Sequence, residues 1–259
     1  MDSTVTEWLN LVFRWIHVVA GVLWIGHLYF FNFVNGPLAK TYDVDSKKKV
    51  VPELMPRALY FFRWGALYTW ITGVLLLGIV YYHGGVNVAP DGPVSWKLGS
   101  LIAFGSLILA WPIYDMLWKA VKKEEAAVAI SVVLTAAYAF GRSRILTGRS
   151  TVMHVGALFG TLMMCNVWMR IWPNQRKIIA GIKGTGPAAD PALPAPAGLR
   201  SKHNPYMSVP LIFAMVGNHF PGVYGSDFAW AYMMVFVAVG WGATKFLYTK
   251  SASAAPTQF

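Results

Sequence analysis

Apolar residues in this chain of 259 fall in blocks of twenty or more, bounded by charge, proline or glycine, with neither alternating nor amphipathic spacing. A hydrocarbon core about 30 Å thick is crossed by a helix of about 20 apolar residues, so the blocks predict transmembrane helices. Seven emerge, at residues 8–33, 59–82, 96–118, 126–145, 151–172, 206–220 and 228–248, and the sixth is the shortest, with Pro205 and Pro221 at its ends. The expected fold class is all-α: a polytopic membrane helix bundle forming a single domain over residues 1–259. The Pro/Ala/Gly-rich stretch 184–198 reads as a flexible cytoplasmic linker between the fifth and sixth helices.

Only 13% of the residues are charged, against roughly 25% in an ordinary soluble domain, which disfavours a soluble enzyme. The single cysteine, Cys165, excludes a disulfide framework, a thiolate cluster and covalent c-type haem attachment, each of which needs at least two sulfurs. No Gly-rich phosphate loop and no Ser/His/Asp constellation is present.

The net charge of +11 follows the loops. Five Lys and Arg lie in residues 40–57, three in 119–123, six in 170–202 and two at the C-terminal end, all on one side of the predicted bundle. The other side carries Asp2, Glu7, the Lys-free stretch 83–95 and the turn 221–226. Positive-inside bias then puts the N-terminus outside and the C-terminus in the cytoplasm of a bacterial inner membrane. The basic excess is explained by membrane lipid and topology, with no nucleic acid partner. One loop dissents, because Arg142, Arg144 and Arg149 fall on the outer side.

Ionisable groups within a span cost about 3 kcal/mol or more and usually face the bundle interior, so function is sought among them. In the first helix Arg14, His17, Gly21 and Trp24 share one face. At 1.5 Å per residue, His17 lies about 14 Å below the outer boundary, His154 within about 6 Å of it, and His219 roughly 21 Å up from the cytoplasmic side. Three histidines from three helices thus approach one level, which suits noncovalent ligation of haem b iron. The alternative is that each only hydrogen-bonds a neighbouring helix. His83 and His203 read as interfacial, and His27 is too far along the first helix to share an iron with His17.

Asn218, beside His219, is placed to orient a ligand or substrate, whereas Asn166 reads as a helix bridge. Asp115 pairs with Lys119 at i,i+4, and Arg63 snorkels to the interface. In the dissenting loop, Arg142 and Arg144 end the fourth helix and are expected to point inward more than Arg149. There they bind haem propionates or an anionic substrate; otherwise they meet lipid phosphates or an acidic patch on a partner cytochrome.

The segments RWIHVVAGVLWIGHLYFF, GRSRILTGRSTVMHVGALFGTLMMCNVWMRIWPNQRK and NPYMSVPLIFAMVGNHFP together resemble the membrane domain of the bacterial cytochrome c urate oxidase (urate hydroxylase) family, across nearly the whole chain. His17 with Trp24 and Gly26 is also similar to the first helix of haem-binding membrane proteins of the protoporphyrinogen oxidase and copper-resistance types. The urate oxidase resemblance implies oxidation of urate to 5-hydroxyisourate, with electrons passed to cytochrome c. Members identified as urate oxidases carry an eighth helix and a C-terminal c-type cytochrome, whereas this sequence has no haem c motif. The expected acceptor is therefore a separate c-type cytochrome or another redox subunit. The competing expectation is a non-catalytic haem b or structural subunit of a larger electron-transfer complex. The topology is tested by a reporter fused to the C-terminus: activity in the cytoplasm only is expected, and activity in the periplasm would overturn the orientation.

Overall fold

The computed structural model describes residues 3–187, 192 and 194–253, and among these it is helical without strands. Helix α1 (Ser3–Tyr29) passes into a π-helical segment (Phe30–Asn35) and a short α2 (Gly36–Ala39). Helix α3 (Val44–Leu77) likewise runs into a π-helical segment, Gly78–Tyr82, and is followed by α4 (Trp96–Ala120) and α5 (Glu124–Ser143). Helix α6 (Gly148–Asn166) continues through a third π-helical segment, Val167–Ile171, into α7 (Trp172–Lys183). The chain ends with α8 (Pro194–Gly217), α9 (Pro221–Tyr224) and α10 (Ala229–Ser253).

Local chemistry sets several of these ends. Side-chain oxygens of Asp43, Ser95 and Thr147 accept from the backbone N–H of Ser46, Leu98 and Ser150, capping the first turns of α3, α4 and α6. Gly184 closes α7 in the left-handed conformation at φ +73°. Helix α3 starts well before the expected span because its basic first turns continue as helix beyond the apolar block. Of the expected linker 184–198, residues 188–191 and 193 lie outside the described residues, and Pro194 to Gly198 already belong to α8.

Helix α6 is the centre of the bundle. Of its apolar window 67% is buried, against 11 to 33% for the other membrane-competent helices, so it is enclosed while they face outward. Small residues permit the close approach. A Cβ on Gly156 would sit 2.8 Å from Ala214 of α8, and one on Gly65 of α3 would sit 3.1 Å from the Trp24 backbone nitrogen of α1. Around this centre Trp8, Trp15, Val18, Val22, Leu101 and Leu109 are exposed, as a lipid-facing surface requires.

Seven helices traverse the bundle, as the sequence suggests, but among the described residues six are long and apolar enough to cross a membrane. The exception is the expected sixth span, 206–220, which lies largely within α8. That helix opens with Arg200, Ser201, Lys202, His203 and Asn204, too polar for a lipid-exposed segment. It still runs from one end of the bundle to the other. Near its start Arg200 reaches Asp115 at the end of α4, and just past its end Asn218 meets Tyr81 and Arg149. It packs between α6 and α10, with Pro210 against Gly240, and exposes Ile212 and Val216 only in its later turns. Helix α1 therefore starts at one end of the bundle, here the amino-terminal end, and α10 finishes at the other.

The carboxy-terminal end is tied by Asp115. Its carboxylate accepts from Arg170, beyond α6, and from Arg200 of α8 at 3.1 Å, and it pairs with Lys119 at 2.8 Å. The expected i,i+4 partner is present, but two cations from distant helices join it. Removing one partner of a buried ion pair leaves an uncompensated charge, so Asp115→Ala is expected to destabilise by about 3–5 kcal/mol. Arg57→Ala, which breaks an exposed pair with Glu53, should leave the unfolding midpoint nearly unchanged. Thermal unfolding in detergent, followed by helical circular dichroism, measures both.

Candidate functional site

A polar cluster lies at the amino-terminal end, where the second π-helical segment faces the start of α6. His154 is completely buried. Its Nδ1 lies 2.7 Å from the Ser150 carbonyl oxygen, which can only accept, so Nδ1 carries the proton. Nε2 then bears the lone pair and accepts from the Tyr82 hydroxyl at 2.8 Å. The neighbouring Tyr81 hydroxyl donates at 2.7 Å to Asn218 Oδ1, which also accepts from Arg149 Nε at 2.9 Å. A π-helical turn inserts a residue into the helical repeat, a feature frequent at functional sites. Here it turns both consecutive tyrosines toward α6 and the end of α8.

His17 is held by α3. Thr72 Oγ1 donates to the Tyr68 carbonyl at 2.7 Å, so the 3.1 Å contact with His17 Nδ1 must use the imidazole proton. Its Nε2 is again the basic nitrogen. Gly73 makes room for the ring, because a Cβ there would lie 3.1 Å from His17 Cε1.

The three expected ligands do not come together. His219 is exposed in the turn after α8. Among the described residues no group of three or more His, Cys, Asp or Glu side chains is arranged to hold a metal ion. Helix α8 ends at Gly217, before the expected end of the span at 220, and the chain turns outward there. The arginines also depart from expectation. Arg144 is exposed, with its guanidinium 6.0 Å from the Phe140 ring centroid, and Arg149 takes the inward position. Arg142 does point inward: it lies over the Tyr138 ring at 5.1 Å, within electrostatic range of Tyr82 and His154. Its Nε and Nη1 are buried without a hydrogen-bond partner.

Those features decide which residues fit a haem. An imidazole whose Nδ1–H is held by a backbone carbonyl presents Nε2 as an iron ligand, and unpaired buried guanidinium N–H groups suit a propionate. His154 and Arg142 carry the atoms such a group would use, but His154 Nε2 is occupied by the Tyr82 hydroxyl, and His219 and Arg144 are exposed.

Sequence reasoning missed a second polar network at the carboxy-terminal end. His203, expected at the interface, is a member of α8, and its Nδ1 lies 2.6 Å from the Tyr114 hydroxyl with its ring against Trp118. Asn166 donates to both Tyr114 and Asn204, linking α4, α6 and α8. The signal was present as Arg, His and Asn in the polar start of α8, but no spacing rule aligned it with Tyr114 on another helix. Arg63 does not snorkel freely: it lies over Trp172 at 4.0 Å.

Fold and site together define a membrane-embedded helical bundle with a buried His/Tyr/Arg cluster at one end. A family profile described as urate oxidase N-terminal matches residues 3–49 and 41–259, and the chain belongs to that family. No curated protein and no solved structure matches it.

The cluster orders the arginine substitutions. Arg149→Gln should lower the unfolding midpoint in detergent, because Asn218 loses a buried partner. Arg144→Gln should leave it unchanged, and equal midpoints for the two variants would remove Arg149 from the cluster.

Proposed function

We propose that this protein is a membrane-bound redox protein that oxidises urate to 5-hydroxyisourate. The observation that carries the reading is the urate oxidase N-terminal match over nearly the whole chain, and the His154 cluster supplies chemistry suited to it. The reaction takes urate and water to 5-hydroxyisourate, two protons and two electrons. The electrons leave to a c-type cytochrome, or to another redox subunit of the same membrane complex. A haem b held by His154 would supply a one-electron relay from substrate to that acceptor.

The chain's own residues have separate parts in this reading. Ser150 holds the His154 ring in the Nδ1–H form, and the Tyr82 hydroxyl that occupies Nε2 would have to turn away for a group to bind there. Arg142 offers its unpaired N–H groups to a propionate. Arg149 draws the urate anion to the amino-terminal end, and Asn218 positions it there through Tyr81 and Arg149. The protein sits in the bacterial inner membrane with its N-terminus outside, where a periplasmic cytochrome is within reach.

An optical spectrum of the purified protein tests the reading. A reduced b-type α-band that appears on adding urate is expected; it is lost in His154→Ala and kept in His219→Ala. A band reducible by dithionite alone would make the protein a non-catalytic haem subunit. Absence of any band would remove haem.

A further inference from the structure

The bundle has a larger cavity of about 520 Å³ at the carboxy-terminal end, beside Asn32, Asn35 and Lys40. A smaller one, about 280 Å³, is a groove between α1 and α3. Its floor is the crossing of the two helices at Ala20 and Gly65, where a Cβ on Gly65 would lie 3.2 Å from the Ala20 carbonyl oxygen. Tyr60, Trp64 and Tyr68, at i, i+4 and i+8 on α3, form one aromatic wall. Leu23 of α1 lines the opposite side and is itself exposed, so the groove opens to lipid.

Two hydrogen-bond donors in the wall are unused. Tyr68 is 52% exposed, and its ring stacks with that of Trp64 at 5.8 Å. Among the described residues neither the Tyr68 hydroxyl nor the Trp64 indole N–H has a hydrogen-bond partner. Depth makes this costly. Tyr68 lies nine residues inside the span 59–82, or about 14 Å from its carboxy-terminal-end boundary at helical rise, near the middle of a hydrocarbon core about 30 Å thick. Lipid tails supply no acceptor there, and lipid ester carbonyls stay at the boundary. A partner helix would bring backbone carbonyls already bonded within itself.

We infer that this groove binds the head ring of an isoprenoid quinone. Such a ring is flat, dissolves in hydrocarbon and carries carbonyl oxygens that accept, so it complements an aromatic wall whose free polar groups donate. The tail stays in lipid. The groove's 280 Å³, just under the roughly 300–1,000 Å³ of typical ligand pockets, therefore has only the ring to hold. The inference stands apart from the urate reading, because it concerns binding at a different face and requires no substrate.

Binding of decylubiquinone to the whole protein in lipid nanodiscs, counted in excess of empty nanodiscs, tests it. Saturable binding is expected. Tyr68→Phe removes the hydroxyl and keeps the ring, and it should weaken binding about tenfold, as loss of a buried hydrogen bond does. Leu23→Trp, which fills the groove from its lipid-facing side, should abolish binding. Decylbenzene, the same chain on a ring without carbonyls, should not compete. Without quinone, Tyr68→Phe should keep or raise the unfolding midpoint, because the hydroxyl it removes bonds nothing. Uptake equal to that of empty nanodiscs overturns the inference, as does binding that Tyr68→Phe leaves unchanged. A lower midpoint for Tyr68→Phe gives the hydroxyl a partner within the protein and overturns it as well. A dimer that Leu23→Trp dissociates assigns the groove to a second copy of the chain, with the same consequence.

Discussion

Helix α6 carries Ser150, Thr151, His154, Thr161 and Asn166, all buried, and hydrocarbon gives such groups no partners. The arrangement of the bundle follows from enclosing it. Three of these side chains meet a partner on a surrounding helix: Tyr82 from α3's π-helical extension for His154, Trp70 from α3 for Thr161, and Tyr114 of α4 with Asn204 of α8 for Asn166. Helix α8 is held against α6 by the same logic, and in its polar start Arg200 and Asn204 are buried against partners on other helices.

The π-helical segments extend this scheme. Each follows an α-helix of nineteen residues or more and brings polar side chains to a place the regular repeat would not deliver them. One presents Asn32 and Asn35 to the larger cavity, one Tyr81 and Tyr82 to the His154 cluster, and one Arg170 to Asp115. The two ends of the bundle thereby differ in chemistry. The amino-terminal end combines a basic imidazole nitrogen with arginines. The carboxy-terminal end gathers cations around one carboxylate, beside a cavity lined with amides.

Much of the fold was legible in the sequence, because membrane insertion depends on local composition. Helical class, seven traverses, termini at opposite ends and the Asp115–Lys119 pair all follow from runs of apolar residues and from i,i+4 spacing. His154 was legible as an intramembrane imidazole. What sequence depth misplaced was His219, since a helix that stops at Gly217 sends the next residues outward. It also reversed Arg144 and Arg149, whose directions depend on where one helix ends and the next is capped by Thr147. Tyr82, Tyr114, His203 and the cavity were decided by tertiary structure alone. Their partners are separated by tens of residues, and π-helical turns reset the angular register that any sequence argument has to assume constant.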